Sequence, residues 1–292
     1  MVVNTNLYMQ QNRRVLWRFF KNSFVRIFSY ITTFIMVWVL CSILVTLMIN
    51  GFPGITFFMF THVTASQSKV GGLLNPILGS IIQVGLAACI SIPVGISAGI
   101  FLAEFNYKKI NAIVRFFSDI LISVPSILVG LLVYLILVVS IGYSAIAGAC
   151  SLAILAIPII ARTSEEALAI VPFSIREAGF ALGAPKWKVI LWICLPAARG
   201  GVMTGILLAI SRIAGETAPL LFTSLGNSNW SWNIFKPMSS LPLIIYQYAD
   251  SADDALIKLA WTAALLVTIF VLCLNLIARV YMKRCQRKGR HI

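Results

Sequence analysis

The chain has 292 residues, of which 60% are hydrophobic and only 11% charged, with 23 Lys+Arg against 9 Asp+Glu and a net charge of +14. Soluble domains carry roughly 25% charged residues, so a large soluble core is excluded and a bilayer is the expected solvent. The basic excess then belongs to cytoplasmic loops and anionic membrane lipid rather than to nucleic acid, and the chain carries no motif that reads DNA or RNA.

The chain opens on a basic stretch, Arg13, Arg14, Arg18, Lys21 and Arg26, followed by an apolar run over 28–49. That run is too long for a signal h-region, and no small-residue cleavage site follows it, so it reads as a retained first span. Further apolar runs predict spans at 79–103, 119–140, 144–161, 201–222 and 259–280, because about 20 helical residues cross the hydrocarbon core. The expected fold is all-α and integral to the membrane, with six transmembrane helices. Pro93, Gly95 and Gly99 fall inside the second span, where membrane helices tolerate them.

Basic residues alternate between the two sides of these spans. The N-terminal group shares its side with Lys108, Lys109 and Arg115, then Arg162, Arg176, Lys186, Lys188 and Arg199, then Arg279, Lys283, Arg284, Arg287, Lys288 and Arg290. The other side holds Lys69, Lys236 and Lys258. Both termini are therefore expected in the cytoplasm. The longer outer loops are 50–78 and 223–258. Trp230 and Trp232 in the second loop are read either as interfacial anchors or as contacts to an external partner.

Cys41, Cys89, Cys150, Cys194, Cys273 and Cys285 are scattered without a Cys-x-x-Cys pair, and His62 lies far from His291. These residues predict packing, with no metal site and no cofactor. There is no Gly-x-x-x-x-Gly-Lys-Ser/Thr loop, so the usual phosphate cradle of an ATPase is missing.

The inner loop between the fourth and fifth spans carries the strongest local signals. Ser174 and Glu177 stand three apart and predict a capping box. Helix formers follow to Leu182, Gly183 suits a left-handed stop, and Pro185 suits the first turn of a second short helix. The expectation is a compact helix–break–helix knob on the cytoplasmic side.

The fifth span holds ionised residues. Arg212 lies eleven residues into 201–222, roughly 16 Å along a helix, hence near the midplane. Glu216 follows four residues later. Gly201, Gly205, Ala209, Arg212 and Glu216 are expected on one helix face, and that face cannot meet lipid. Two readings stay open: an ion pair that fixes packing, or an anion path in which Arg212 passes the anion and Glu216 holds the guanidinium between passages. Arg162, at the inner end of the fourth span, is either a snorkelling anchor or an exit-side anion contact.

The spacing Glu177-Ala178, Gly183 six residues after the Glu, then Ile193-x-Leu195-Pro196 resembles the EAA motif of bacterial ABC importer permeases. Its third position is Gly179 where Ala is usual, a change expected to loosen the first helix by up to about 1 kcal/mol. Ser123-Val124-Pro125-Ser126 with Gly130, Gly215-Glu216-Thr217-Ala218-Pro219, and Leu241-Pro242 with Tyr246 are similar to the permeases of phosphate ABC importers. The similarity covers about residues 70–280.

That resemblance implies a type I (MetI-like) permease core of five helices over 76–281. A tail, first span and outer loop over 1–75 precede it, and a basic tail over 282–292 follows. It implies import of inorganic phosphate by alternating access, with Arg212, Glu216 and Arg162 along the path. Ser174, Glu177, Ala178, Gly183, Leu195 and Pro196 would couple the chain to a separate ATPase dimer. A sister permease and an external phosphate-binding protein complete the implied assembly, and this chain is not itself an enzyme. The alternatives are a permease for molybdate, sulfate or phosphonate, and an ATP-independent anion transporter or channel.

Overall fold

The computed structural model describes residues 4–64, 71–227 and 231–289, with side chains from Val15 to Val280 apart from Leu16 and those gaps. Lys69, Trp230, Arg290 and His291 lie outside the described residues. So do the side chains of Arg13, Arg14, Lys283, Arg284, Cys285, Arg287 and Lys288. The chain divides into two compact units, Met1–Asn50 and Gly51–Ile292.

The first unit is a single helix, α1, Asn4–Gly51. It starts well before the expected 28–49 because the basic stretch contains neither Pro nor Gly to stop it. Phe28, Phe34 and Trp38 are 63%, 71% and 63% exposed, as on a helix whose solvent is hydrocarbon.

The second unit is helical throughout its described residues, apart from turns and one bridge between Leu225 and Met238. In chain order it holds α2 (Phe57–Thr61), α3 (Leu74–Glu104), α4 (Lys108–Ser123) and α5 (Ser126–Ile141), then α6 (Ala145–Ala169) and α7 (Phe173–Ala181). It continues with α8 (Lys186–Ile213), α9 (Ala218–Thr223), α10 (Leu241–Tyr248) and α11 (Asp254–Gly289). Among the described residues, five helices are long and apolar enough to cross a membrane, and a sixth crossing stands if α4 and α5 form one bent span.

Helix α6 is the centre, with two thirds of its most apolar window buried. Ser144 caps its N-terminus by accepting from the Ala147 amide, which satisfies an otherwise orphaned donor. Small residues let its neighbours approach. On α3, Gly79, Gln83, Ala87, Ser91, Gly95 and Gly99 recur every four residues and are all buried. A Cβ at Gly95 would lie 2.7 Å from the Ile160 Cβ, and one at Gly99 2.6 Å from the Ser164 Cβ. This is close small-residue packing of the kind that drives helix association in lipid. On α8, a Cβ at Gly201 would lie 2.6 Å from the Ala167 Cβ, and Gly205 faces Thr163. Gln83 donates to the Ser224 hydroxyl and the Met238 carbonyl at 3.0 and 3.1 Å, tying the outer loop to α3.

Two spans expected as continuous are broken in the structure. The third, 119–140, is bent by 105° between α4 and α5. Pro125 drives its predecessor Val124 into extended backbone, φ −69 and ψ 133, because proline disfavours the α conformation before it. The fifth, 201–222, begins fifteen residues earlier, at Lys186, and breaks over Ala214–Thr217. Pro219 has no amide hydrogen, and its ring would clash with the Gly215 carbonyl in a continuous helix.

Candidate functional site

Two places in the second unit carry the functional signals: the helix–turn–helix of α7 and α8, and the break between α8 and α9.

Helix α7 closes on Leu182, and Gly183 follows at φ +74. The Gly183 amide donates to the Phe180 carbonyl at 2.9 Å, and the Ala184 amide to the Gly179 carbonyl at 3.3 Å. These are the paired bonds of a Schellman stop, so the left-handed expectation at Gly183 holds. Pro185 is the N-cap of α8. The second helix is not short, however. It runs through a π-helical turn, Val189–Cys194, directly into the membrane helix. The wide turn lies just before Pro196, which has no amide hydrogen to continue the i to i−4 bonding of an α-helix.

The capping box does not form. The N-cap of α7 is Pro172, and Ser174 sits inside the first turn with no side-chain capping bond. Pro172 starts the helix two residues too early for Ser174 to cap it. Gly179 is the surprise. It is buried, and a Cβ there would lie 2.8 Å from the Ile193 Cδ1 and 3.1 Å from the Val189 Cγ2. Glycine at this motif position therefore buys a close approach of α7 to α8 rather than simply loosening the helix. Ser174, Glu177, Ala178, Gly183 and Pro196 are exposed, and Leu195 packs half-buried against the core. Ile170 and Leu182 are 82% and 87% exposed, so the knob presents bare apolar side chains around Glu177.

Among the described residues, the most buried ion pair lies beneath this knob. Arg176 donates through Nε and Nη2 to the Glu104 carboxylate at 3.1 and 2.9 Å, with side chains only 13% and 9% exposed. Its Nη1 and Nη2 also reach the Val171 and Leu168 carbonyls at 2.5 and 2.8 Å, a cation at the C-terminal end of α6. Removing one partner of such a pair costs about 3–5 kcal/mol. Lys186 donates to the Glu104 carbonyl at 2.8 Å. Nearby, Arg115 reaches Glu165 at 2.6 Å, joining α4 to α6. Sequence reasoning treated Arg176, Lys186 and Arg115 only as topology markers. The available signal was Glu104, one of 9 acidic residues, at the end of an apolar run.

At the second place, Arg212 occupies the last turn of α8 and Glu216 lies in the non-helical break. The expected single helical face therefore stops at Arg212. Arg212 Nε and Glu216 Oε1 are 3.9 Å apart, with side chains 47% and 18% exposed, so the pair is a loose contact and not a hydrogen bond. Its height follows from α6. Gly201 meets Ala167, Gly205 meets Thr163 and Gly148 meets Leu220, so the same antiparallel register puts Arg212 level with Ala156, near the middle of α6. The break thus falls at mid-height of the bundle, where irregular backbone is tolerated only inside protein or along a water-filled cavity. Gly130 of α5 closes against it: a Cβ there would lie 2.7 Å from the Cα of Pro219.

Arg162 does not close its helix, which continues to Ala169 with its last carbonyls held by Arg176. Arg162 instead faces Glu166 at 3.6 Å, with both side chains well exposed.

A family model described as the binding-protein-dependent transport system inner membrane component matches residues 95–291. The chain belongs to this family. It is 46% identical to the phosphate transport system permease protein PstA of Haemophilus influenzae, over 94% of this chain and 98% of that one. It is 44% identical to PstA of Yersinia pestis over 95% of both chains, and 36% identical to PstA 1 of Mycobacterium tuberculosis over 77% and 74%. Among solved structures, an inward-facing MetNI methionine ABC transporter superposes with TM-score 0.60 at 20% identity, covering 73% of this chain and 95% of that one. A bacterial alginate ABC transporter bound to its periplasmic protein superposes with TM-score 0.65 at 15% identity, covering 92% and 97%. The protein is thus a multi-pass inner-membrane component with the MetI-like permease fold.

Proposed function

We propose that this protein is a permease subunit of an ATP-driven importer that moves inorganic phosphate into the cell. The observation that carries this reading is the 46% identity to a phosphate permease along nearly the whole of both chains. ATP hydrolysis belongs to a separate ATPase dimer (PstB-like). A sister permease (PstC-like) completes the pore, and an external phosphate-binding protein (PstS-like) delivers the anion. Both termini face the cytoplasm, residues 76–281 form the permease domain, and 1–75 and 282–292 are additions to it.

In this reading the knob from Phe173 to Lys188 seats in a cleft of the ATPase, its exposed Phe173, Phe180 and Leu182 supplying the apolar contact of a helix in a groove. Closure of the ATPase dimer moves the knob, and the break at Ala214–Thr217 meets the anion. Broken helices at mid-height are where transporters place substrate sites. The planar guanidinium of Arg212 suits a tetrahedral oxyanion. Glu216 at 3.9 Å is near enough to compete for it and loose enough to yield, as a conducting site must release what it binds. Arg162 is the inner-side candidate for an exit contact.

The test is reconstitution in proteoliposomes. The four-component complex takes up phosphate only with internal ATP and external binding protein, and the chain alone takes up none. Robust uptake by the chain alone, without ATP, refutes the coupled mechanism. Preference of the complete complex for molybdate, sulfate or phosphonate refutes phosphate as the substrate.

A further inference from the structure

We propose that Glu104 is the anchor through which the knob drives the membrane bundle, so that motion enters through α3 and α6 as well as along α8. This rests on the reading of the knob as the ATPase contact.

The two arms of the helix–turn–helix hold the same residue. From the entering arm, Arg176 binds the Glu104 carboxylate twice, at 3.1 and 2.9 Å. From the leaving arm, Lys186 binds the Glu104 backbone carbonyl at 2.8 Å, with its ammonium 4.1 Å from the centre of the Phe105 ring. Glu104 is the last residue of α3. Arg176 also holds the Leu168 carbonyl in the last turn of α6 and the Val171 carbonyl just beyond its end. The knob and the inner ends of α3 and α6 are therefore joined by one hydrogen-bonded cluster, partly buried on its Arg176 side and exposed on its Lys186 side, and its bonds are charge-assisted.

Beyond that cluster α3 and α6 are locked together. Gly95 and Gly99 lie so close to Ile160 and Ser164 that no Cβ fits, and such packed contacts transmit displacement rather than absorb it. The route along the chain passes through the π-helical turn Val189–Cys194, a wide turn of the kind frequently found at functional sites, which packs closely on Gly179 of α7. Pushing the knob therefore moves α3 and α6 directly as well as α8. Glu104 and Arg176 are positioning residues, since neither lies at the break that meets the anion.

The experiment measures phosphate imported per ATP hydrolysed by the complete reconstituted complex. In Glu104→Gln, which lies outside the knob, the ATPase still co-purifies and hydrolyses ATP, and Arg176→Gln is scored per ATP hydrolysed by the complexes that form. Phosphate per ATP falls by about tenfold, the scale of a typical coupling between sites. Arg176→Lys keeps the charge but loses the fork, and restores part of the lost ratio. An unchanged ratio in both Gln variants overturns the proposal while leaving the ATPase contact intact. Loss of ATPase co-purification in the variants alone also overturns it, because the pair then only shapes the docking surface. Failure of the unsubstituted chain to bind the ATPase sinks the underlying reading, and this proposal with it. If neither Gln variant folds, Lys186→Gln removes the second arm alone. A fall in its ratio supports the anchor, and an unchanged ratio overturns it.

Discussion

The knob and the helix break differ in how tightly their charges are held. Arg176 makes four hydrogen bonds to Glu104, Leu168 and Val171 and is almost fully buried. Arg212 has one ionic neighbour at 3.9 Å and is about half exposed. A saturated guanidinium holds a geometry, because breaking it strands a buried charge. An unsaturated one has donors left for something else. The same residue type therefore serves as a rivet in one place and as a candidate ligand in the other, and the difference lies in the number of satisfied donors.

The largest effect that would sharpen this contrast is at the loose site. Arg212→Gln lowers ATP-driven phosphate uptake by about thirtyfold or more, while the complex assembles and its ATPase is retained, because nothing structural depends on that guanidinium. Normal uptake would remove Arg212 from the path and leave the mid-height break as a purely structural feature.

A smaller effect is expected where the knob depends on backbone conformation. Gly183→Val forces a β-branched residue to φ +74, at a cost of about 1–2 kcal/mol, and ATPase co-purification falls by roughly tenfold. Retention of full association would show that the turn tolerates another conformation and is not the rigid element described here.

The smallest effect separates propensity from packing. Gly179→Ala improves the helix propensity of α7 by about 1 kcal/mol, yet places a Cβ 2.8 Å from Ile193. Overpacking of this kind costs about 1–3 kcal/mol, so the detergent-solubilised protein unfolds at a slightly lower temperature. The added substitution Ile193→Val then recovers the loss. A stabilised single variant would mean that α7 is free to move away from α8.

Much of the helix layout was legible because membrane spans announce themselves by length and apolarity. The two errors of continuity have a common cause. Both 119–140 and 201–222 were read as unbroken although each holds a proline, and hydropathy averages across a kink. Pro125 and Pro219 stand at the starts of α5 and α9, just after the breaks, whereas Pro93 and Pro158 sit inside α3 and α6 without breaking them. The residue alone does not tell these cases apart; the neighbours that satisfy the freed backbone do. The capping box failed for a related reason, since Ser174 and Pro172 competed to start one helix and only one start was possible.

The sequence by itself determined the membrane class, the positions of the apolar helices and the left-handed stop at Gly183. Those features depend on composition or on the steric rules of a few adjacent residues. Only the tertiary structure decided that Glu104 joins both arms of the knob, that Gly179 closely approaches Ile193, and that Arg212 stands at mid-height although it ends its helix. Each of these is a contact or a register between residues far apart in the chain. Whether a charge is riveted or free is a property of what surrounds it, and no local pattern carries that information.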